Sequence, residues 1–344
     1  MEDLSINKIP VSVLGRCSSG VSAVAVTPDG KQAIAASLDG TIKTWALPEG
    51  IEVQILEGHR HLVKAVAVSP DSEQLVSASW DGTLKVWDLR KGVLERTLIG
   101  HTDSVVAVAV TLDGELVISG SWDTTVRAWD LENGLPLNTL AGHKGPVNAI
   151  GVTREGAHVI SASDDNTLKL WDLSSGSCVH TLKGHKHLVK DVTITPDGLR
   201  ALSASYDGTL KIWDLWDGKE FYTLTGHRKG VSAVEVTPDG NQAVSASWDS
   251  GLKVWDLEHG VEMSTLKGHT DRVLVMSITP DGTKVVSTSA DKTLRVWDLM
   301  TGKLLGCFQA DSELFDCAIP PDDDYVLTGD RMGKVYFCQL EKLV

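Results

Sequence analysis

A repeat of constant length governs this sequence. The dipeptide Gly-His occurs six times, from Gly58-His59 to Gly268-His269, and each occurrence lies 42 residues after the one before. Trp-Asp recurs on the same grid from Trp87 to Trp297, and Trp45 falls one period earlier, followed by Ala46. Such a period indicates a repeat architecture whose units bury their apolar faces by stacking on each other.

Within one unit, the residues indicate short β-strands. Residues 62–89 contain three apolar or β-branched runs, separated by the turn sequences Ser69-Pro70-Asp71 and Asp81-Gly82. Gly92 precedes a fourth run that ends at Leu98. We denote these strands a to d in chain order. No segment shows a convincing 3.6-residue apolar period, so we expect almost no helix.

The chain resembles the WD-repeat family, whose repeats carry Gly-His near the start and Trp-Asp near the end. The resemblance covers nearly the whole chain and implies a propeller of four-stranded blades. On the grid, a–b–c units begin near residues 17, 59, 101, 143, 185, 227, 269 and 311.

The eighth unit lacks a d strand, but residues 11–14 lie one period before 53–56 and can supply it. We therefore predict an all-β, eight-bladed WD-repeat β-propeller, a single domain over residues 1–344. The ring would close by pairing of residues 11–14 with about 335–339, which removes the open ends of the stack. The alternative is seven blades, the commoner number in this family.

Each regular repeat holds a His, a Ser 18 residues later, an Asp four further on and a Trp six after that. Ser, His and Asp are also the residues of a hydrolase triad, but a triad needs an exposed nucleophile and an oxyanion hole, and these serines lie in mid-strand. The resemblance implies a buried structural hydrogen-bond network, so we expect no catalytic residues. The six sets are His59, Ser77, Asp81, Trp87; His101, Ser119, Asp123, Trp129; His143, Ser161, Asp165, Trp171; His185, Ser203, Asp207, Trp213; His227, Ser245, Asp249, Trp255; and His269, Ser287, Asp291, Trp297.

A second set of positions points to binding. The d–a and b–c loops form the face called the top in this family, and the a–b and c–d turns form the bottom. The residue before each network Asp lies in the b–c turn, and four of these residues are aromatic: Trp80, Trp122, Tyr206 and Trp248. The resemblance implies a partner-binding top rim, which adds the third and fifth residues after the His. These are Leu62, Lys64, Ser104, Val106, Leu188, Lys190, Arg272 and Leu274.

Trp, Tyr and Arg dominate interface energetics, which favours a binding role for the rim. The alternative is that each ring packs on the adjacent blade. For Trp216, a lone aromatic in a c–d turn on the bottom, we expect a local packing role.

Composition narrows the function classes. The formal net charge of −14 disfavours nucleic-acid binding, because phosphates must be neutralised by Lys and Arg. The acids of the a–b turns predict an acidic bottom and a mixed to basic top. Five cysteines without CxxC spacing indicate free thiols in a reducing compartment and no metal site. The N-terminus does not resemble a signal peptide and no apolar run could span a membrane, so we expect a cytoplasmic, monomeric protein without cofactor.

Four functions remain open at this point. The first is a non-catalytic scaffold that binds a protein or peptide on the top rim. The second is a sensor or regulatory subunit of a nucleotide-binding or kinase signalling system, because uniform repeats like these resemble those of bacterial and fungal signalling proteins. The third is a small-molecule binder or enzyme using the central channel, which the small residues Ala65, Ala67, Ala107 and Ala109 disfavour. The fourth is an engineered or consensus-like repeat protein without a partner.

The first and last units lack the network. The first has Cys17 and Ala35 in place of the His and the Ser, and the last has no recognisable counterpart. Because each missing hydrogen bond removes about 1 kcal/mol, we predict that blades 1 and 8 are the softest. Hydrogen exchange measured blade by blade should show the fastest exchange in these two, and strongest protection there would contradict the prediction.

Overall fold

The computed structural model of the protein describes residues 7–322 and 324–340, and within them it contains β-strands and no helix. The strands form eight sheets, seven of four strands and one of five. The a strands lie side by side in a ring, and the a strand of blade 8 lies beside that of blade 1. The predicted eight-bladed propeller is therefore confirmed, and the seven-bladed alternative is wrong.

The strands of each blade run antiparallel in the order a, b, c, d, from the central channel outwards. From blade 1 to blade 8, the a strands are Val21–Val26, Val63–Val68, Val105–Val110, Val147–Val152, Val189–Ile194, Val231–Val236, Val273–Ile278 and Leu314–Ala318. The b strands are Gln32–Ser37, Gln74–Ser79, Leu116–Ser121, His158–Ser163, Arg200–Ser205, Gln242–Ser247, Lys284–Ser289 and Tyr325–Asp330. The c strands are Ile42–Ala46, Thr83–Asp88, Thr125–Asp130, Thr167–Asp172, Thr209–Asp214, Gly251–Asp256, Thr293–Asp298 and Lys334–Gln339. The d strands are Ile51–Leu56, Val93–Ile99, Pro136–Ala141, Ser177–Lys183, Glu220–Thr225, Val261–Lys267, Leu304–Gln309 and Val11–Arg16.

The two ends of the chain meet in blade 8. Val11–Arg16 pairs antiparallel with Lys334–Gln339, with Val11 opposite Cys338 and Arg16 opposite Lys334. The blade is thereby completed by hydrogen bonds between the first and last parts of the ring. Residues 1–6 and 341–344 lie outside the described residues, so the extent of the single domain over 1–344 stays a prediction.

A short strand that the repeat did not predict precedes this closure. Asn7–Lys8 pairs in parallel with Leu304–Gln309 and becomes a fifth strand of blade 7. Ile9 follows it and is buried with Val296 and Tyr336 in the core between blades 7 and 8. The N-terminal segment therefore joins two consecutive blades at their outer edges.

The hydrophobic core of the described residues is divided into clusters, each lying between two neighbouring blades. Between blades 1 and 2, for example, Ile34 and Leu56 pack with Leu75 and Trp87. The b strands are buried along almost their whole length because both of their faces contact a neighbouring blade, whereas the d strands are largely exposed. Stability therefore depends on every blade having a neighbour on each side.

A polar side chain interrupts the apolar core between blades 1 and 2. Thr44 in the c strand of blade 1 is fully buried, and its hydroxyl has no hydrogen-bond partner among the described residues. The equivalent positions in other blades are apolar, for example Val86, Leu170 and Ile212. A buried hydroxyl without a partner loses its hydration without compensation.

We therefore expect Thr44→Val to stabilise the protein. Removing the unpaired hydroxyl should raise the free energy of unfolding by about 1 kcal/mol, which corresponds to about 1–2 °C in melting temperature for a ring of this size. Thr328→Val is the matched control, because the Thr328 hydroxyl is equally buried but donates a hydrogen bond of 2.7 Å to the carbonyl oxygen of Asp316. Calorimetry should show opposite shifts, and a lower melting temperature for Thr44→Val would contradict this reasoning.

Candidate functional site

The repeated His, Ser, Asp and Trp residues meet in each of the six regular blades. In blade 2, His59 Nδ1 lies 2.8 Å from Asp81 Oδ2, and His59 Nε2 lies 2.8 Å from Ser77 Oγ. Trp87 Nε1 donates to the same Ser77 Oγ at 2.8 Å. Because a carboxylate can only accept, we assign the ring proton to Nδ1, and Nε2 then accepts from the serine. In the other five blades, the corresponding distances lie between 2.7 and 3.0 Å.

The network also holds the loop before strand a. Burial by itself would raise the pKa of Asp81, but hydrogen bonds from His59, Thr83 and the Arg60 N–H outweigh it and hold the pKa well below its usual range. The pKa values of the other five network aspartates are also lowered, and at Asp249 the N–H groups of Arg228 and Gly251 and the His227 ring do this without a threonine. Every network serine is fully buried, so this arrangement ties strands together and offers no exposed nucleophile.

The irregular blades are built differently. Blade 1 keeps Asp39 and Trp45, but Cys17 and Ala35 cannot form the chain of hydrogen bonds. In blade 8, the Tyr336 hydroxyl donates at 2.9 Å to Asp330 Oδ2, and both residues are buried. This bond links strands b and c in place of the network, and the 42-residue grid gave no sign of it.

Several of the proposed rim residues line one cavity at the top of the channel. Its volume is about 730 Å³. Its lining includes Trp80, Trp122, Tyr206, Trp248, Lys64, Val106, Lys190 and Leu274. Leu62, Leu188 and Arg272 are not part of this lining, and Ser104 is buried. The fold thus brings together residues that are up to about two hundred positions apart in sequence.

The four aromatic rings form two pairs across neighbouring blades. The centroids of Trp80 and Trp122 are 5.2 Å apart, and those of Tyr206 and Trp248 are 4.6 Å apart. Trp80 and Trp122 nevertheless remain 36% and 38% exposed, while Tyr206 and Trp248 are half-buried. The rings therefore pack on the adjacent blade and still present part of their surface to the cavity.

Cations flank the second aromatic pair. The Arg272 guanidinium lies 5.4 Å from the centre of the Trp248 ring, and Lys190 Nζ lies 5.4 Å from that of Tyr206. Lys190 Nζ also contacts Asn148 Oδ1 at 3.0 Å and Asp164 Oδ1 at 3.4 Å. This side of the rim is held in place by contacts within the protein.

The a strands place more polar side chains in the channel wall than the alanines of blades 2 and 3 suggest. Ala65, Ala67, Ala107 and Ala109 contribute no polar side chain to the channel wall, but the expectation that the a strands supply few possible ligands does not hold for the other blades. Asp191, Glu235 and Asp316 also line the cavity. They occupy the grid positions of those alanines, so a complete comparison of the a strands would have found them.

Each of these carboxyl groups bridges two blades. Asp191 accepts the N–H of Val234, Glu235 accepts that of Ile278, and Asp316 accepts that of Val24, all at 2.9 Å. Each bond runs from the a strand of one blade to the a strand of the next. The carboxyls therefore act as clasps between inner strands.

Burial dominates the electrostatics of these clasps. Desolvation raises the pKa of Asp191 and of Asp316 to about 6, and it raises the pKa of Glu235 to about 7. Their backbone hydrogen bonds favour the ionised form but do not offset burial. Near neutral pH, the inner wall therefore carries less negative charge than its composition suggests.

Three further properties of the described residues concern metal ligands, thiols and membrane-spanning helices. Within residues 7–322 and 324–340, no three His, Cys, Asp or Glu side chains come together as metal ligands. The five cysteines are unpaired, and burial raises the pKa of Cys17 to about 12. The same part of the chain contains no helix with the length and apolarity needed to cross a membrane.

The raised pKa of Glu235 predicts a pH-dependent stability. Below the ordinary value of 4.5, the carboxyl is protonated in both the folded and the unfolded state. As pH rises towards about 7, the unfolded chain releases the proton and the folded chain keeps it, so stability is lost across this window. Glu235→Gln should therefore raise the melting temperature above pH 7 and change it little near pH 4.5.

The control for this titration is Thr193→Val, at the equivalent position of blade 5. It removes no ionisable group, so its effect on melting temperature should be the same at both pH values. An effect of Glu235→Gln that does not vary with pH would show that the glutamate is not protonated in the folded state.

Comparisons with known proteins agree with this architecture. The family model described as WD domain, G-beta repeat matches residues 8–46, 50–88, 92–130, 134–172, 176–214 and 218–256. Residues 269–340 match the model of the TEP-1 C-terminal beta-propeller. No curated protein matches the chain.

Among solved structures, the chain is similar to the crystal structure of the computationally designed Ika8 protein. The two are 29% identical and superpose with a TM-score of 0.86. The match covers 95% of this chain and 98% of the designed one. The likeness therefore extends over the whole ring.

Proposed function

Because the chain belongs to the WD40-repeat family, whose propellers generally act as protein-interaction scaffolds, we propose that it binds a protein or peptide partner on its top rim. The partner would lie over the mouth of the channel and contact the rings of Trp80, Trp122, Tyr206 and Trp248. In this proposal, the protein is a monomeric cytoplasmic scaffold without catalytic residues, metal or cofactor.

The observation that carries the proposal is the exposed aromatic surface around the 730 Å³ cavity. A concave site lined by aromatic rings with a few polar groups is the usual form of a binding site. Trp and Tyr are also the side chains that contribute most to interface affinity. Lys64 and Lys190 provide charge at the edge of the same cavity.

The other blades indicate that the fold does not require these rings. In blade 2 the Trp80 N–H donates to the Leu62 carbonyl at 3.1 Å, and in blade 4 the Asp164 N–H donates to the Pro146 carbonyl at 2.9 Å. Blade 7 forms the same bond from Ala290. The b–c turn is thus built equally well around Trp, Asp and Ala, which favours a binding role for the aromatics.

Replacing Trp80, Trp122 and Trp248 by Ala should abolish partner capture without unfolding the ring. Loss of three interface anchors should weaken binding by well over about a hundredfold. The measurement is affinity purification with quantitative mass spectrometry, comparing the triple variant with the wild type in the same extract. Met300→Ala, at an exposed bottom-face residue, is the control and should retain every partner.

Unchanged capture by a folded triple variant would overturn the proposal. A melting temperature within a few degrees of the wild type establishes that the variant is folded. Recovery of an ATPase or a kinase that depends on the three tryptophans would assign the scaffold to a signalling system as its regulatory subunit.

A further inference from the structure

A second apolar surface lies on the bottom face, between blades 4 and 5. It is a groove of about 330 Å³. Leu170 and Leu215 form its buried floor, while Val179, Leu199 and Trp216 form exposed walls. The groove is far from the top rim, because a–b and c–d turns form it.

The side chain of Trp216 is almost entirely exposed to solvent. It is 91% exposed, and Leu199 beside it is 63% exposed, so the expected packing role for Trp216 is wrong. The backbone beneath the ring is nevertheless well held. Asp214 Oδ1 accepts the Trp216 N–H at 2.8 Å, and His180 Nε2 lies 3.0 Å from the Trp216 carbonyl oxygen. A rigid turn thus presents a large apolar ring to solvent.

Comparison of the blades shows that the fold does not require Trp216 or Leu199. Other blades place Arg90, Glu132, Ser174, Glu258 and Met300 at the grid position of Trp216. At the position of Leu199, they place Lys31, Glu73, Glu115, Ala157, Asn241 and Thr283. Two apolar departures from a mostly polar pattern therefore occur in the same blade. The Leu215 N–H donates to the Leu199 carbonyl at 3.0 Å, so both departures border one groove.

The surroundings of the groove are acidic. Glu155 belongs to its lining, and Asp172 lies 3.8 Å from His158, which also lines it. Asp197 accepts the Leu199 N–H at 3.0 Å, and Asp214 accepts that of Trp216. The Lys219 ammonium is already paired with Asp217 at 2.7 Å. An apolar segment seated here would therefore meet a ring of carboxylates, which favours basic residues at its flanks.

We propose that this groove, formed by Val179, Leu199, Leu215 and Trp216, is a second docking site that takes a peptide segment carrying a bulky apolar side chain flanked by Lys or Arg. The apolar side chain enters between Leu199 and Trp216. The flanking cations lie against the carboxylates of Glu155, Asp172 and Asp214. This site is independent of the top rim, so the protein could hold two partners on opposite faces.

The test uses random twelve-residue peptides displayed on phage. The library is first depleted on the Leu199→Glu/Trp216→Ser double variant, whose top rim is intact, and is then selected on the wild-type protein. Both substitutions introduce residues that other blades carry at these positions. In blade 4, the Ser174 hydroxyl and the Ser175 N–H both donate to Asp172 Oδ1, so a serine is compatible with this turn. The double variant should therefore remain folded, which circular dichroism checks.

The enriched peptides should carry Leu, Phe, Trp or Met flanked by Lys or Arg. A synthetic copy should bind the wild type at least about tenfold more tightly than the Trp216→Ser variant, as expected for one buried aromatic contact. Its affinity should fall with added salt because the flanking contacts are exposed. Met300→Ser changes the equivalent turn of blade 7 and should leave the affinity unchanged.

Three results would overturn the proposal. The first is that the library depleted on the double variant yields no more enrichment on the wild type than a library depleted on Met300→Ser, whose groove is intact. The second is enrichment of acidic or uncharged peptides, which would show that charge does not select the occupant. The third is a concentration-dependent dimer in sedimentation that Trp216→Ser abolishes, because the groove would then bind a second copy of this chain. None of these results bears on the top rim, which is intact in all of these variants.

Discussion

The pairing of Val11–Arg16 with Lys334–Gln339 is the interaction on which the rest of the structure depends. Every apolar cluster in the described residues lies between two blades, so a stack without closure would expose one face of its first blade and one of its last. Closure brings Trp45 and Val21 of blade 1 against Leu327 and Val335 of blade 8. A ring thus satisfies the hydrophobic faces of all eight units with no terminal cap.

Closure has to be achieved by units that depart from the repeat. Blades 1 and 8 lack the His-Ser-Asp-Trp chain, yet blade 8 contains the strand pairing that closes the ring and blade 1 packs against it. Blade 8 uses the buried bond between Tyr336 and Asp330, and Asn7–Lys8 extends along the edge of blade 7 before the chain enters blade 8. The closure is therefore stabilised by contacts that occur only in blades 7 and 8, whereas blades 2 to 7 share the His-Ser-Asp-Trp network.

The regular repeat also acts as an internal control for function. Where the blades agree, as blades 1 to 7 do in the buried tryptophan of strand c, the common geometry accounts for the residue. Where blades differ at one position, the fold tolerates the alternatives, and an unusual residue needs another explanation. The aromatic b–c turns of blades 2, 3, 5 and 6 and the apolar bottom turns of blade 5 both meet this criterion. The clasps formed by Asp191, Glu235 and Asp316 do not, because their hydrogen bonds to the next blade already give them a structural role.

From the sequence alone, the 42-residue period and the resemblance to the WD-repeat family together predicted four-stranded units, eight blades in preference to seven, and the strand that completes blade 8. These follow from the sequence because a fixed period places each residue type at one height and one radius in every blade. Only the tertiary structure decided how neighbouring blades complement each other. Trp80 packs against Trp122 of the next blade, and the channel carboxyls accept hydrogen bonds from the next a strand. Trp216 is exposed to solvent beside Leu199. Such contacts join residues from different units, and a pattern within one unit carries no information on the distance between the side chains of two.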